Sequence, residues 1–274
     1  MIAIAQPPLQ QEMSLLEKLT SVVSASRLNT FHTCRLKFYF RYVLGLVTST
    51  SAAFFVGKAV HAALQQWSVA RWKGQPHTAE SLKVGFHENW VTAQTDDPVE
   101  WEEGKEDGHQ AKAWALVETY LRDTPIAANE KPEAVEVRVE ADLGEHGLPT
   151  LIGVLDLVRP GGRIVDFKTT AQTPQPAQAI HRNETQLTAY GLLYRAATGK
   201  RESGLELHHL VKTKEPKLAI TSTGPVTLDQ ENKLYRSIES YVSGVEREDF
   251  VPSPGLQCIA CEFFAECCAW KGGK

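Results

Sequence analysis

Residues 151–170, LIGVLDLVRPGGRIVDFKTT, constrain the fold of this chain more than any other stretch. Two apolar, β-branched runs flank Arg159-Pro160-Gly161-Gly162-Arg163, which is the pattern of a β-hairpin. Each run carries an acid where a strand this greasy favours hydrocarbon: Asp156 in the first, Asp166 in the second. Side chains alternate along a strand with period two, so Asp166 and Lys168 share a face and Phe167 takes the other. Burying such charges unpaired costs several kcal/mol per ion, so the trio needs a counter-ion or a task.

The turn decides which acids face each other. A two-residue Gly161-Gly162 loop would pair Asp156 with Phe167 and split the acids between faces. A three-residue loop, Pro160-Gly161-Gly162, pairs Arg159 with Arg163 and therefore Asp156 with Asp166. The sequence predicts the three-residue register, or a bulge with the same effect. Two carboxylates abreast repel, and a divalent cation between them relieves the repulsion. An ion pair of Lys168 with one acid, the other solvated, would also relieve it.

The cysteines form the second informative pattern. Cys258, Cys261 and Cys267 make C-x2-C-x5-C, Cys268 adjoins them, and Cys34 stands alone near the N-terminus. Three clustered thiolates plus a remote one can close a four-coordinate site, either zinc or an iron–sulfur cluster. Zinc sites more often use two close pairs, so one distant ligand leans toward iron and sulfur. Buried, unligated cysteines are the plain alternative. With Cys34 as partner, the site would tie the first ordered helix to the end of the chain and would be structural.

A length of 274 residues suits one large domain or two small ones. The formal charge of −4 excludes a globally basic nucleic-acid binder and leaves room for a local basic groove. No run of eighteen apolar residues occurs, so no membrane span is expected. The opening MIAIAQPPLQQ lacks a basic segment and is broken by Pro7-Pro8, unlike a signal peptide. A cytoplasmic location is the default expectation, and there metal or catalysis comes before disulfides as a use for cysteine.

In chain order, residues 1–23 read as a flexible tail with a helical patch near Met13–Leu19. Ser24 or Ser26 caps the next helix, in which Phe31, Phe38, Tyr39, Phe40 and Tyr42 favour core packing over base stacking. Arg27, Arg35, Lys37 and Arg41 interleave with them and could face phosphates. Helices are expected at about 54–73, 78–95 and 105–122, the block from about 65 to 130 looking like a helical insertion. Ala134–Glu140 alternates apolar and charged residues, as a half-exposed strand does. After the hairpin come a polar loop (171–178), a helix over 183–197, strands at 205–212 and 218–223, and a helix near 227–245. Gln186 and Tyr190, four apart, lie on one face of the first of these helices. The order describes an α/β or α+β core with a mixed sheet.

Taken together, the motifs resemble the PD-(D/E)XK nucleases of the RecB type, most closely their iron–sulfur members, the small CRISPR-associated exonucleases and the nuclease domain of AddB. The likeness runs from Ser24 to Cys267. It is carried by S-x-S-x-L-x-x-F-x-x-C ending at Cys34, Gly57-x-x-x-His61, Gly153-x-x-Asp156, Asp166-Phe167-Lys168, Gln186-x-x-x-Tyr190 and the terminal cysteines. Two features depart from it: Asp166 stands where many members have glutamate, and Cys268 competes with Cys267 as the third clustered ligand.

The resemblance implies a restriction-endonuclease-like core, a mixed central sheet flanked by helices, with residues 24–274 as one domain. It implies that Asp156, Asp166, the Phe167 carbonyl and His61 hold Mg²⁺ or Mn²⁺, the imidazole favouring Mn²⁺. Lys168 would orient or deprotonate the attacking water or stabilise the phosphate, and Gln186 and Tyr190 would position Lys168 and the DNA backbone. Cys34, Cys258, Cys261 and Cys267 would hold a 4Fe–4S cluster, with Zn²⁺ as the alternative. The implied activity is a DNA exonuclease acting on single strands or free ends, in repair, recombination, CRISPR adaptation or phage-related processing. No helicase motif is present, so unwinding would come from a partner such as a helicase or a CRISPR adaptation protein. Two rival expectations are an inactive DNA-binding or assembly subunit with a structural metal cluster, and carboxylates that bind metal for another reaction or merely structurally.

Overall fold

Strand β3, Thr150–Arg159, is the hub of a six-stranded mixed sheet in this computed structural model, which describes residues 13–96, 98–99 and 101–272. Strand β2, Ala134–Ala141, runs antiparallel along one edge of β3 from Leu151 to Val158. The other edge is shared. Strand β1, Val22–Ser24, pairs in parallel with Thr150–Ile152, and β4, Arg163–Thr170, pairs antiparallel with Leu157–Arg159. Residues Gly153 to Asp156 of that edge therefore have no strand beside them, and β4 diverges there to pair in parallel with β5, Gly204–Val211. Strand β6, Lys217–Thr223, completes the sheet. The sheet forks at the hairpin acids.

The turn is the expected three-residue loop, with Arg159 paired to Arg163 and Gly161 and Gly162 at φ of 79° and 73°. Only glycine takes two successive left-handed positions without strain. Both arginines meet Glu206 of β5, at 3.1 Å from Arg159 and 3.4 Å from Arg163, which fixes the hairpin's closed end.

Helices cover both faces. On one side lie α1, Leu15–Ser21, α2, Ala25–Thr33, α7, Pro176–Arg182, α8, Glu184–Thr198, and α9, Leu228–Glu246. Their residues Leu28, Phe31, Leu193, Ile238 and Tyr241 pack with Leu151, Leu155 and Ile164. On the other side lie α4, Ala52–Lys73, α5, Ala79–Asp96, and α6, Glu106–Asp123. Phe55, Val60, Leu64 and Trp67 recur along α4 at helical spacing and pack, with Trp90, Trp114 and Tyr120, on Leu157, Val165 and Phe167. The expected helical insertion is thus not set apart: these helices share one core with the sheet. Ser51 caps α4 and Gly74, at φ 68°, ends it.

The expected tail to residue 23 ends earlier. Ser14 makes a capping box with Glu17 for α1, and β1 joins the sheet; residues 1–12 lie outside the described residues. Part of the expected 171–178 loop is helical, because Pro176 starts α7 at a position where its missing N–H costs nothing.

After a break at Cys34 the chain continues as α3, Arg35–Phe38, and a π-helical turn, Tyr39–Val43. Phe31, Phe38 and Phe40 are buried, as expected. The interleaved cations have partners within the chain. Arg35 pairs with Asp249, Lys37 and Arg41 both pair with Glu262, and Arg27 donates to the Val22 carbonyl. Their work is to clasp the N-terminal helices to the C-terminal segment, helped by a Leu36 N–H bond to the Val251 carbonyl of 3.0 Å.

Gly153 shows why its motif needs glycine. A Cβ there would lie 2.6 Å from Leu193 Cδ1, on the helix that carries Gln186 and Tyr190. Gly153→Val is expected to push α8 off β3, lowering stability by about 1–3 kcal/mol as overpacking does. Urea denaturation checks it; an unchanged midpoint would show that α8 does not rest on this position.

Candidate active site

The acids sit where the sheet forks. The β3–β4 ladder ends at Leu157–Val165, one step short of Asp156 and Asp166. The register is the expected one, but the two acids stand just beyond the ladder rather than as a rung of it. There the Asp156 side chain replaces a ladder partner: its Oδ2 accepts the Phe167 N–H at 3.1 Å and lies 2.9 Å from His61 Nε2. Gly57, one turn before His61 on α4, lets the helix approach β4; a Cβ there would stand 3.0 Å from Thr169 Oγ1.

Asp166 heads a second group. Lys168 Nζ lies 2.8 Å from Asp166 Oδ2 and donates to Gln186 Oε1 at 2.8 Å. Gln186 Nε2 donates to Asp166 Oδ1 at 2.9 Å and to the Tyr190 hydroxyl at 2.8 Å. One amide therefore holds both the carboxylate and the ammonium. The Lys168 contact lies off the hydrogen-bonding direction, so Asp166 Oδ2, fully buried, has a charge partner and no aligned donor.

The electrostatics follow from burial. Asp166, 2 % exposed, has its carboxyl pushed up to about 6 by burial and by Asp156, against the pull of Lys168. For His61 burial opposes the charge, but the bond to Asp156 and the charges of Asp156, Glu136 and Asp166 prevail and raise it. Burial and the neighbouring Asp166 also keep the Tyr190 phenol protonated, so it acts as a hydrogen-bonding group. The carboxylates gathered round His61 make this a centre that favours positive charge.

Glu136 is the residue that the sequence reading missed. It was expected on the outer, charged face of β2, yet the register sets it opposite Asp156, between the Val135–Leu157 and Val137–Leu155 pairs. Its φ of 50° is left-handed, rare for a residue with a side chain. Both strands change faces at this level: Val135 and Leu157 join the core under α4, while Val139 and Leu155 join the core under α8. The flip leaves Val137, expected inside, exposed. It also brings one ligand atom each of His61, Glu136 and Asp156 within 4.8 Å of one another. Only the β2–β3 pairing register could have pointed to Glu136, and the intervening loop does not declare it.

The fork opens on both sides. A groove of about 730 Å³ beside His61, Phe167 and Lys168 is lined also by Phe54, Lys58 and Lys212. A smaller one of about 340 Å³ borders Asp156, Gln186 and Tyr190, with Ser24, Ser26 and Arg138 on its wall. Every residue singled out on the catalytic motifs lies at this centre.

The cysteines lie elsewhere. All five cysteines, the half-buried Cys34, Cys258, Cys261 and Cys267 and the exposed Cys268, line a cavity of about 330 Å³ together with Phe40 and Phe263. Of the two neighbours, Cys267 also packs on the Leu36–Phe40–Phe263 cluster.

The family profile of the PD-(D/E)XK nuclease superfamily matches residues 22–269. A provisionally assigned exonuclease from Eubacterium rectale superposes with a TM-score of 0.63 at 15 % identity, over 98 % of this chain and 96 % of that one. At that identity the likeness is one of fold. The solved structure of SSO0001 aligns at 14 % identity over 86 % of this chain and 94 % of its own, with a TM-score of 0.37, too loose to carry an argument. No curated protein matches the sequence.

Proposed function

The chain belongs to the PD-(D/E)XK nuclease superfamily, and we propose that it hydrolyses DNA phosphodiester bonds with a divalent cation, working from single strands or free ends. The observation that carries this reading is the pair of buried aspartates at the fork, with Lys168 clamped beside Asp166 by Gln186. The donor set fits Mg²⁺ or Mn²⁺: carboxylates of Asp156 and Asp166, the Phe167 carbonyl and the His61 imidazole. Asp166 Oδ2, buried without an aligned donor, is an oxygen suited to a ligand of this kind. The cation would supply positive charge against the scissile phosphate and lower the proton affinity of water there.

The chain's own groups do the rest. Lys168 offers an ammonium to the attacking water or to a non-bridging phosphate oxygen, where charge develops. Gln186 fixes that ammonium's direction, and Tyr190 fixes Gln186. Lys58 and Lys212 with the exposed Phe54 ring offer a DNA backbone and its bases charge and a stacking face along the larger groove. Nothing in the centre reads base edges, so selection would rest on backbone and ends.

The same reading includes a 4Fe–4S cluster held by Cys34, Cys258, Cys261 and Cys267. The support for it is that Cys34, from the N-terminal helices, lines one cavity with the C-terminal cysteines, so thiolates remote in sequence are brought to one place. With such a cluster the chain would resemble the RecB-like iron–sulfur nucleases, and unwinding would fall to a separate motor.

The test uses purified protein and DNA labelled at either end, single- or double-stranded, with Mn²⁺, Mg²⁺ or chelator. Cleavage that requires the cation and stops with chelator is expected, the label's position giving the polarity. Cleavage indifferent to chelator, or none with any cation, would overturn the assignment.

A further inference from the structure

The groove beside Lys168 does not end at the reacting centre. A second groove, also of about 730 Å³, adjoins it, and Ala53 and Lys212 line both. The second is walled by the first turns of α4, by His109 and Lys112 of α6, and by the 212–216 segment that follows β5. Lys58, Lys168 and Lys212 thus stand along the first groove, and Lys112 and Lys214 continue the row along the second. Among the described residues no aspartate or glutamate lines either one, in a chain whose 33 acids outnumber its 29 lysines and arginines. Lys112, Lys212 and Lys214 have no side-chain hydrogen bond or ion pair among the described residues, whereas acids neutralise Arg35, Lys37 and Arg41. Lys212 is half-buried, and burial lowers its ammonium with no carboxylate opposing the shift. Cations desolvated in this way and left unpaired are stabilised by an incoming anion.

We propose that the two grooves form one track for a single DNA strand, with Lys58, Lys168 and Lys212 on the phosphates next to the scissile bond and Lys112 and Lys214 on phosphates farther along the same strand. The inference rests on the nuclease reading and adds the form of the substrate: a single strand long enough to reach α6. The size of the grooves favours one strand. About 730 Å³ is the scale of a small-ligand pocket, which is room for a few extended nucleotides and too little for a double helix. The Phe54 ring on the first groove, 63 % exposed, offers a stacking face to an unpaired base. A cleft lined by charge of one sign focuses its field, so the row also draws a polyanion toward the centre.

The full chain carrying Lys112→Gln and Lys214→Gln together tests this, since both side chains are exposed and the variant should melt with the native protein. Binding of fluorescein-labelled oligonucleotides is followed by anisotropy in chelator, and cleavage is measured separately with Mn²⁺ on oligonucleotides lengthened one nucleotide at a time. On long single strands the variant is expected to keep kcat and to raise KM about tenfold. Its dependence of log Kd on log salt concentration should flatten by about 1.4, the counterion release of two single-strand phosphate contacts. On strands too short to leave the first groove it should match the native chain in kcat and KM. The native chain should bind a single strand more tightly than a duplex of the same length. An unchanged KM and salt dependence on long strands, an equal loss on short and long ones, or tighter binding of the duplex would overturn the track, while cleavage by the native chain leaves the nuclease reading standing. A native chain that binds the strand with the expected salt dependence and cleaves it with no cation would overturn the nuclease reading and, with it, the substrate role of the track.

Discussion

Lys168→Ala is expected to slow DNA cleavage by about two to four orders of magnitude, the range for losing a positioned proton-transfer or charge-stabilising group. Mn²⁺ binding should survive, because the carboxylates remain. Two contacts define the lysine's place, an ion pair with buried Asp166 and a hydrogen bond to Gln186. Gln186→Ala should therefore produce the same kind of defect at smaller amplitude, with Lys168 present but unaimed. Single-turnover cleavage at saturating Mn²⁺ measures both. A Lys168→Ala enzyme as fast as the native one would place the chemistry on other residues.

Cys261→Ala is expected to have the largest effect on stability. The C-terminal segment is clasped to the N-terminal helices by Arg35–Asp249 and by Lys37 and Arg41 on Glu262, all partly exposed pairs of small worth. The apolar contact below them, Leu36, Phe40 and Phe263, is small. A group bound only by the folded chain adds its binding free energy to stability. At about 2–4 °C per kcal/mol, losing several kcal/mol should lower the melting temperature by about 10 °C or more. Anaerobically prepared native protein should be brown, with broad absorption near the violet end, and Cys261→Ala colourless, while Cys268→Ala should match the native chain in both respects. A colourless, zinc-loaded native protein would contradict the cluster.

The hairpin was legible because its chemistry is local. A Pro-Gly-Gly bend, the alternation of strands and two misplaced acids determine register and face within twenty residues. Gln186 and Tyr190 were legible for the same reason, four residues apart on one helix. Glu136 was not, since its place depends on how β2 registers against β3 across a loop and on a left-handed φ that reverses the alternation the sequence displays. The cations of α2 and α3 misled in the other direction. Arg35, Lys37 and Arg41 look like a phosphate-binding row until Asp249 and Glu262, more than 200 residues onward, arrive to neutralise them. Long-range partners decide such charges, and spacing along the chain carries no trace of them. Among the described residues no helix is long and apolar enough to cross a membrane, in line with the absence of a long apolar run.

The central claim is that the two aspartates at the fork of the sheet hold the cation that cleaves phosphodiesters. Crystals grown with Mn²⁺ and measured at the manganese absorption edge address it directly. An anomalous peak bonded to Asp156 and Asp166 at about 2.2 Å, lost in Asp166→Asn together with DNA cleavage, is the predicted result. A cation bound firmly elsewhere, with those carboxylates bare and cleavage intact, would contradict it.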